Sequence, residues 1–232
     1  MARLPRLSVP GFPHLLVQRG VASQAVFNDD ADYQFMLAEL RNLVRRQALA
    51  IHAYALMPDH FYLLATPGVA QALSLAMQAL GRRYVRHFNR RHKREGTLWQ
   101  ARFRCTVIDP DRFLLPGALF VELAPVRAQL VADAAQYPWS SLSHHLGLQV
   151  DPAIAEHAAL WRLGNTPFDR QAAYRRLYEA GLSQSEAAAI HGAVERGWAL
   201  GEQAFMTALA ARTDRRLAPL PVGRPRRPLR MQ

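Results

Sequence analysis

Residues Met57 to Pro67 read MPDHFYLLATP, and within them His60 stands two positions before Tyr62. On an extended strand, side chains two apart project from the same face, so this pair can present an imidazole and a phenol to one ligand. It can equally be a strand edge that follows a turn, with Tyr62 packed inward. A second stretch, LGRRYVRHFNRRHKREGTLWQARFR, interleaves Arg82, Arg83, Arg86, Arg90, Arg91, Lys93, Arg94, Arg102 and Arg104 with Tyr84, Phe88, Trp99 and Phe103. Cations neutralise phosphates while aromatic rings stack on exposed bases, a combination suited to single-stranded or hairpin nucleic acid. Tyr84 and Phe88 fall at helical spacing and read as core, so the arginines carry that inference.

The elements that must position these residues follow from periodicity and turn residues. PHLLVQR, from Pro13, is short, apolar and closed by a glycine, which predicts a strand. NDDADYQFMLAELRNLVRRQ has capping residues, acids in the first turn, apolar residues at helical spacing and late arginines, which predicts a helix lying on a sheet. IHAYALMP and HFYLLATP are strand-like runs joined at Pro58-Asp59, a hairpin that puts His60 just past the turn. A helix is expected from about Val69 to His92, with Leu73, Met77, Leu80, Tyr84 and Phe88 as its buried stripe. TLWQARFRCTVI alternates as a further strand. DPDRF opens a third helix, which Pro125 ends or kinks. This order predicts an α+β fold, an antiparallel sheet flanked by helices, over residues 1–150. Residues 151–211 lose strand signals and read as a small helical region. Residues 212–232, rich in Arg and Pro and without periodicity, are expected to be a disordered basic tail.

The chain has 232 residues and a formal net charge of +11, which favours a polyanionic partner because bound cations release counterions condensed on nucleic acid. Lys93 is the only lysine, so the excess is carried by arginine. Cys105 is the only cysteine, which leaves neither a disulfide framework nor a cysteine-based zinc site. The sequence holds no apolar run long enough for a membrane span, and its start lacks the pattern of a secretory signal. The expected address is the bacterial cytoplasm, in association with the nucleoid, and no membrane partner is expected.

The runs RLSVPGFPHLLVQRG, AYALMPDHFYLL, YVRHFNRRHKREGTLWQARF, FVELAPVRAQLV and YPWSS, in that order and spacing, resemble the REP-associated tyrosine transposases, small HUH-type single-strand DNA transposases. The resemblance implies a ferredoxin- or RRM-like transposase domain, and the helical region and GRPRR tail resemble the C-terminal part of longer members. It further implies that two histidines on a central strand and a polar helix residue hold Mg²⁺ or Mn²⁺, while a tyrosine on that helix attacks the scissile phosphate and forms a phosphotyrosine link. Members act on single-stranded or hairpin repeat DNA.

Carried over residue by residue, the pattern is broken. His60 matches the first histidine, but Tyr62 stands at the second, Phe120 at the nucleophile and Ala124 at the polar ligand. Phenylalanine has no oxygen with which to attack phosphorus, alanine cannot coordinate a cation, and a neutral phenol is a poor ligand for a hard metal. The sequence therefore predicts a DNA-binding protein of this family with strand cleavage impaired, and no tightly held Mg²⁺ or Mn²⁺. Two other readings stay open: an active enzyme in which Tyr62 or Tyr84 replaces the nucleophile, and a domesticated DNA- or RNA-binding regulator. His52 is considered as a second imidazole across the hairpin from His60. Arg224, Arg226 and Arg227 lie in VGRPRRPLR, which resembles an AT-hook reading a narrow minor groove. A homodimer is left open.

Overall fold

The computed structural model of the chain describes residues 5–46 and 48–219. In chain order its main elements are strand β1 (His14–Arg19), helix α1 (Asp30–Arg46), strands β2 (Leu49–Met57) and β3 (His60–Pro67), helix α2 (Ala72–Arg91), strand β4 (Arg104–Val107), helices α3 (Pro110–Glu122) and α4 (Ala124–Arg127), short helices α5 (Leu142–His145) and α6 (Ala158–Trp161), and helices α7 (Pro167–Ala180), α8 (Gln184–Arg196) and α9 (Gln203–Ala210). The strands form one antiparallel sheet in the order β2-β3-β1-β4. The α+β expectation holds.

Alternation along the strands divides the core in two. Leu16, Ile51, Tyr54, Leu56, Phe61 and Leu63 face a cluster that includes Met36 and Leu40 of α1 and the α2 stripe. All five residues of that stripe, Leu73, Met77, Leu80, Tyr84 and Phe88, are buried. Leu15, Val17, Ala53, Ala55, Tyr62 and Leu64 face the opposite way, against Leu119, Phe120 and Ala124 and against Tyr174, Ile190 and Val194 of the later helices.

Three sequence expectations change in detail. The fourth strand is confined to Arg104–Val107, because the chain before it turns away: Trp99 makes only a single bridge to Gly20, and Phe103 lies under the Arg6 guanidinium. The region after residue 150 shares its core with the sheet. Tyr54 donates to Asp151 at 2.5 Å, and Ala155 N–H donates to Ile51 at the β2 edge. The start of the expected tail is also engaged, since Arg215 donates to the carbonyls of Pro5 and Gly197, and Leu217 packs on the cluster of Leu7, Val9, Val107 and Leu209. Backbone hydrogen bonds also reach both outer strands, on β2 from Trp139, Ser141 and Ala155 and at the end of β4 from Leu200, which limits the open edge left for pairing with other chains.

Capping explains where the later helices start. Thr166 and Ser183 each form a reciprocal capping box, with Asp169 and Glu186, and Pro167 occupies the first turn of α7. Gly197 ends α8 in the left-handed region at φ 69°, which glycine adopts without Cβ strain.

Candidate functional site

The Pro58-Asp59 turn sets the register in which His60 opposes Met57 on one side and Arg19 on the other, and Tyr62 lies between Ala55 and Val17. His60 and Tyr62 share the face that meets α3, with their rings edge-on at 4.9 Å. Tyr62 in turn meets the Phe120 ring edge-on at 5.7 Å. Ala124, 4% exposed, belongs to the same apolar cluster. The sheet and helices thus bring together all four positions singled out in the sequence. The helix carrying the last two is interrupted: α3 ends at Glu122, α4 starts at Ala124, and Pro125 has no N–H to return to the carbonyl four residues back.

Arg127, which lies in the run FVELAPVRAQLV but is not singled out there, completes the cluster. Its guanidinium lies 4.1 Å over the Phe120 ring and donates at 2.5 Å to the Phe120 carbonyl. The signal that could find it is spacing, because seven residues are two helical turns and return to the same side. At the rim, His60 Nδ1 lies 2.6 Å from Asp59, and Glu195 of α8 pairs with Arg19 at 2.6 Å and with Arg104. Burial lowers the pKa of His60, only partly offset by Asp59, so the ring is neutral near pH 7. Desolvation also raises the Tyr62 phenol and lowers the Arg127 guanidinium.

These donors do not fit a hard divalent cation. They offer one imidazole nitrogen, a protonated phenol, a benzyl ring and a methyl group, where Mg²⁺ takes oxygen ligands in near-octahedral array. Among the described residues, no group of three or more His, Cys, Asp or Glu side chains could hold a metal ion.

Two further residues considered from the sequence, Tyr84 and His52, are placed away from His60. Tyr84 lies in the opposite layer, fully buried, with its hydroxyl donated to the Val26 carbonyl at 2.5 Å, so it cannot reach a phosphate at His60. His52 sits toward the far end of the hairpin and is saturated by the Ala155 carbonyl at 2.7 Å and the Thr66 hydroxyl at 2.8 Å. It does not join His60.

Of the basic residues of the second stretch, Arg82, Arg83, Arg86, Arg90, Arg91, Lys93, Arg102 and Arg104 face solvent, while Arg94 is half-buried and donates to Gln24. Arg83 is paired with Glu39, Arg91 with Asp29 and Asp32, and Arg104 with Glu195. Arg82, Arg86, Arg90, Lys93 and Arg102 have no acidic partner among the described residues. The α2 cations lie on the layer opposite to Phe120, while Arg19, Arg102 and Arg104 line a polar groove with Gln18 and Gln100 where β1 meets β4. Arg224, Arg226 and Arg227 fall outside the described residues.

Residues 14–113 match the family model described as "Transposase IS200 like". Among solved structures, the chain aligns with a REP-associated tyrosine transposase bound to a REP hairpin at a TM-score of 0.52 and 15% identity, covering 68% of this chain and 93% of that one. It also aligns with a candidate transposase from Deinococcus radiodurans R1 at a TM-score of 0.36 and 16% identity, covering 56% of this chain and 89% of that one. Comparison with curated proteins gives no match.

Proposed function

We propose that this chain, whose residues 14–113 match the model of the IS200-like transposases, binds single-stranded or hairpin DNA and does not cut it. The contact that carries this reading is the Tyr62–Phe120 ring pair at 5.7 Å. An attacking hydroxyl and metal-binding oxygens would be needed where two rings and the Ala124 methyl pack together. Such an aromatic pair adds about 0.5–1.5 kcal/mol beyond its burial, so these positions serve the core. The exposed cations of α2 and of the β1–β4 groove support binding to a polyanion, and an uncompensated arginine cluster gains affinity by counterion release. Genomic repeats flanking the gene would bear on a regulatory role, which shares this DNA-binding chemistry and differs only in its use. No helix among the described residues is long and apolar enough to cross a membrane.

Because the aligned relative was solved with a REP hairpin, a labelled palindromic hairpin with single-stranded flanks is the first probe. It is incubated with the protein and Mg²⁺ or Mn²⁺, and binding and covalent linkage are scored separately. Binding without a denaturation-resistant adduct is the expected result. An adduct would refute the non-cutting reading, and a link mapped to Tyr62 would establish a substitute nucleophile.

A further inference from the structure

Two donor groups in the collapsed site lack an acceptor that matches them. Arg127 is an exposed residue whose guanidinium is nevertheless held against the protein, over the Phe120 ring and on the Phe120 carbonyl. No carboxylate lies within ion-pair distance of it among the described residues. The half-buried Arg19, Arg41 and Arg170 each face one: Glu195, Asp151 and Glu156. Holding a guanidinium partly out of water without a counter-charge costs free energy that a bound anion would return. The Tyr62 hydroxyl likewise has no hydrogen-bond partner among the described residues, although the Phe120 ring that lies under Arg127 also packs on Tyr62.

Resting on the DNA-binding reading above, we propose that the site which lost the means to cut now holds a DNA backbone phosphate directly, with Arg127 and Tyr62 donating where a metal would otherwise stand. The guanidinium fork matches two phosphate oxygens, and the phenol O–H adds a further donor from the neighbouring strand. Phe120 fixes both, with one ring stacked under the guanidinium and edge-on to the phenol. Arg19 stands opposite His60 and shares the carboxylate of Glu195 with Arg104, whereas Arg127 faces no carboxylate among the described residues. This grip needs no divalent ion.

The test uses the full chain, EDTA, and a set of hairpins in which single phosphates along the single-stranded flank are replaced by neutral methylphosphonates. The parent should lose affinity by about tenfold at one position, the scale of a single charge-assisted hydrogen bond. Arg127→Gln should bind about tenfold more weakly and show no further loss at that position. Tyr62→Phe should show a smaller version of the same change, and Arg127→Lys should keep the position-specific loss. If Arg127→Gln fails to fold, the Tyr62→Phe and Arg127→Lys profiles decide, and a Tyr62→Phe profile identical to the parent's overturns the grip. Absence of DNA binding by the parent would defeat the DNA-binding reading itself. Binding by the parent, with the same position profile in Arg127→Gln, would overturn only the phosphate grip. Inorganic phosphate that competes with the parent at constant ionic strength but leaves every methylphosphonate position equivalent would assign the site to a free anion and overturn DNA as its ligand.

Discussion

On one side of the sheet, α2 commits a single stripe, Leu73, Met77, Leu80, Tyr84 and Phe88, to the core and leaves Arg82, Arg86 and Arg90 in water. On the other side, α3 is buried along most of its second half, including Phe120, Val121 and the carboxylate of Glu122. Glu122 accepts from Ser141 at 2.5 Å, from Tyr174 at 2.6 Å and from His145 Nδ1 at 2.6 Å, tying α3 to α5 and α7. A helix with one wet face can exchange its charges at little cost to stability, because exposed ion pairs contribute only about 0–1 kcal/mol. A layer without a wet face cannot change chemistry alone. With Phe120 and Ala124 in the core, a polar side chain at either position has to be accommodated by its neighbours.

The largest effect that would sharpen this contrast is expected at Glu122. Glu122→Ala should destabilise the protein by about 3–5 kcal/mol, because it strands three buried donors, one of them His145. Denaturant unfolding measures this, and a loss below about 1 kcal/mol would show that the layer tolerates change as readily as α2 does.

Next in size, taken ring by ring, is the response to acid. Burial holds His14 and His52 at a pKa of about 4, against 6.5 in the unfolded chain. Protons therefore bind the unfolded chain first as the pH falls. The stability owed to the neutral rings is complete above pH 6.5 and declines as the pH drops toward 4, by on the order of 3 kcal/mol for each ring. His52 holds the Ala155 carbonyl and His14 accepts from Val9 N–H, so acid should loosen the segments that cover the sheet before it loosens α2. Unfolding midpoints that stay level from about pH 7 to pH 4 would contradict this.

The smallest effect on stability, and a clear one on binding, is expected from replacing Arg82, Arg83, Arg86 and Arg90 together by Ala. The fold should lose no more than about 1 kcal/mol, the contribution of the Arg83–Glu39 pair. The slope of log affinity against log salt should flatten by about 0.7 for each single-strand phosphate that the variant no longer neutralises. A variant that binds hairpin DNA like the parent at every salt concentration would remove α2 from the interface.

What the sequence discloses and what it withholds follow from the range of the forces. The α2 stripe, the hairpin at Pro58-Asp59 and the caps at Thr166 and Ser183 are local, set by period and by neighbouring residues, and all are readable. The same holds for His60, Tyr62, Phe120 and Ala124, whose motif order is enough to place them together. The fourth strand is shorter than its pattern suggests because alternation in TLWQARF resembles pairing, whereas Arg6, far away in sequence, draws Phe103 aside. Arg127 lies within a quoted run, but its role escapes the sequence because it rests on a backbone carbonyl and a ring face, neither of which leaves a charge pattern. The fusion of residues beyond 150 with the sheet is invisible for a similar reason, since Tyr54 with Asp151 and Glu122 with Tyr174 are single contacts between distant segments.

The strand order also has a bearing on synthesis. β1 leaves the ribosome first but stands between β3 and β4, so its apolar Leu15, Leu16 and Val17 wait for partners that begin only at His60 and Arg104. Glu122 waits longer, until Tyr174 has emerged. Domains generally settle in the order in which they are made, yet here the earliest strand and the IS200-like segment depend on helices translated last. A gene copy interrupted soon after residue 113 would therefore release a chain with its sheet bare on one side, a substrate for proteases rather than a smaller DNA-binding protein.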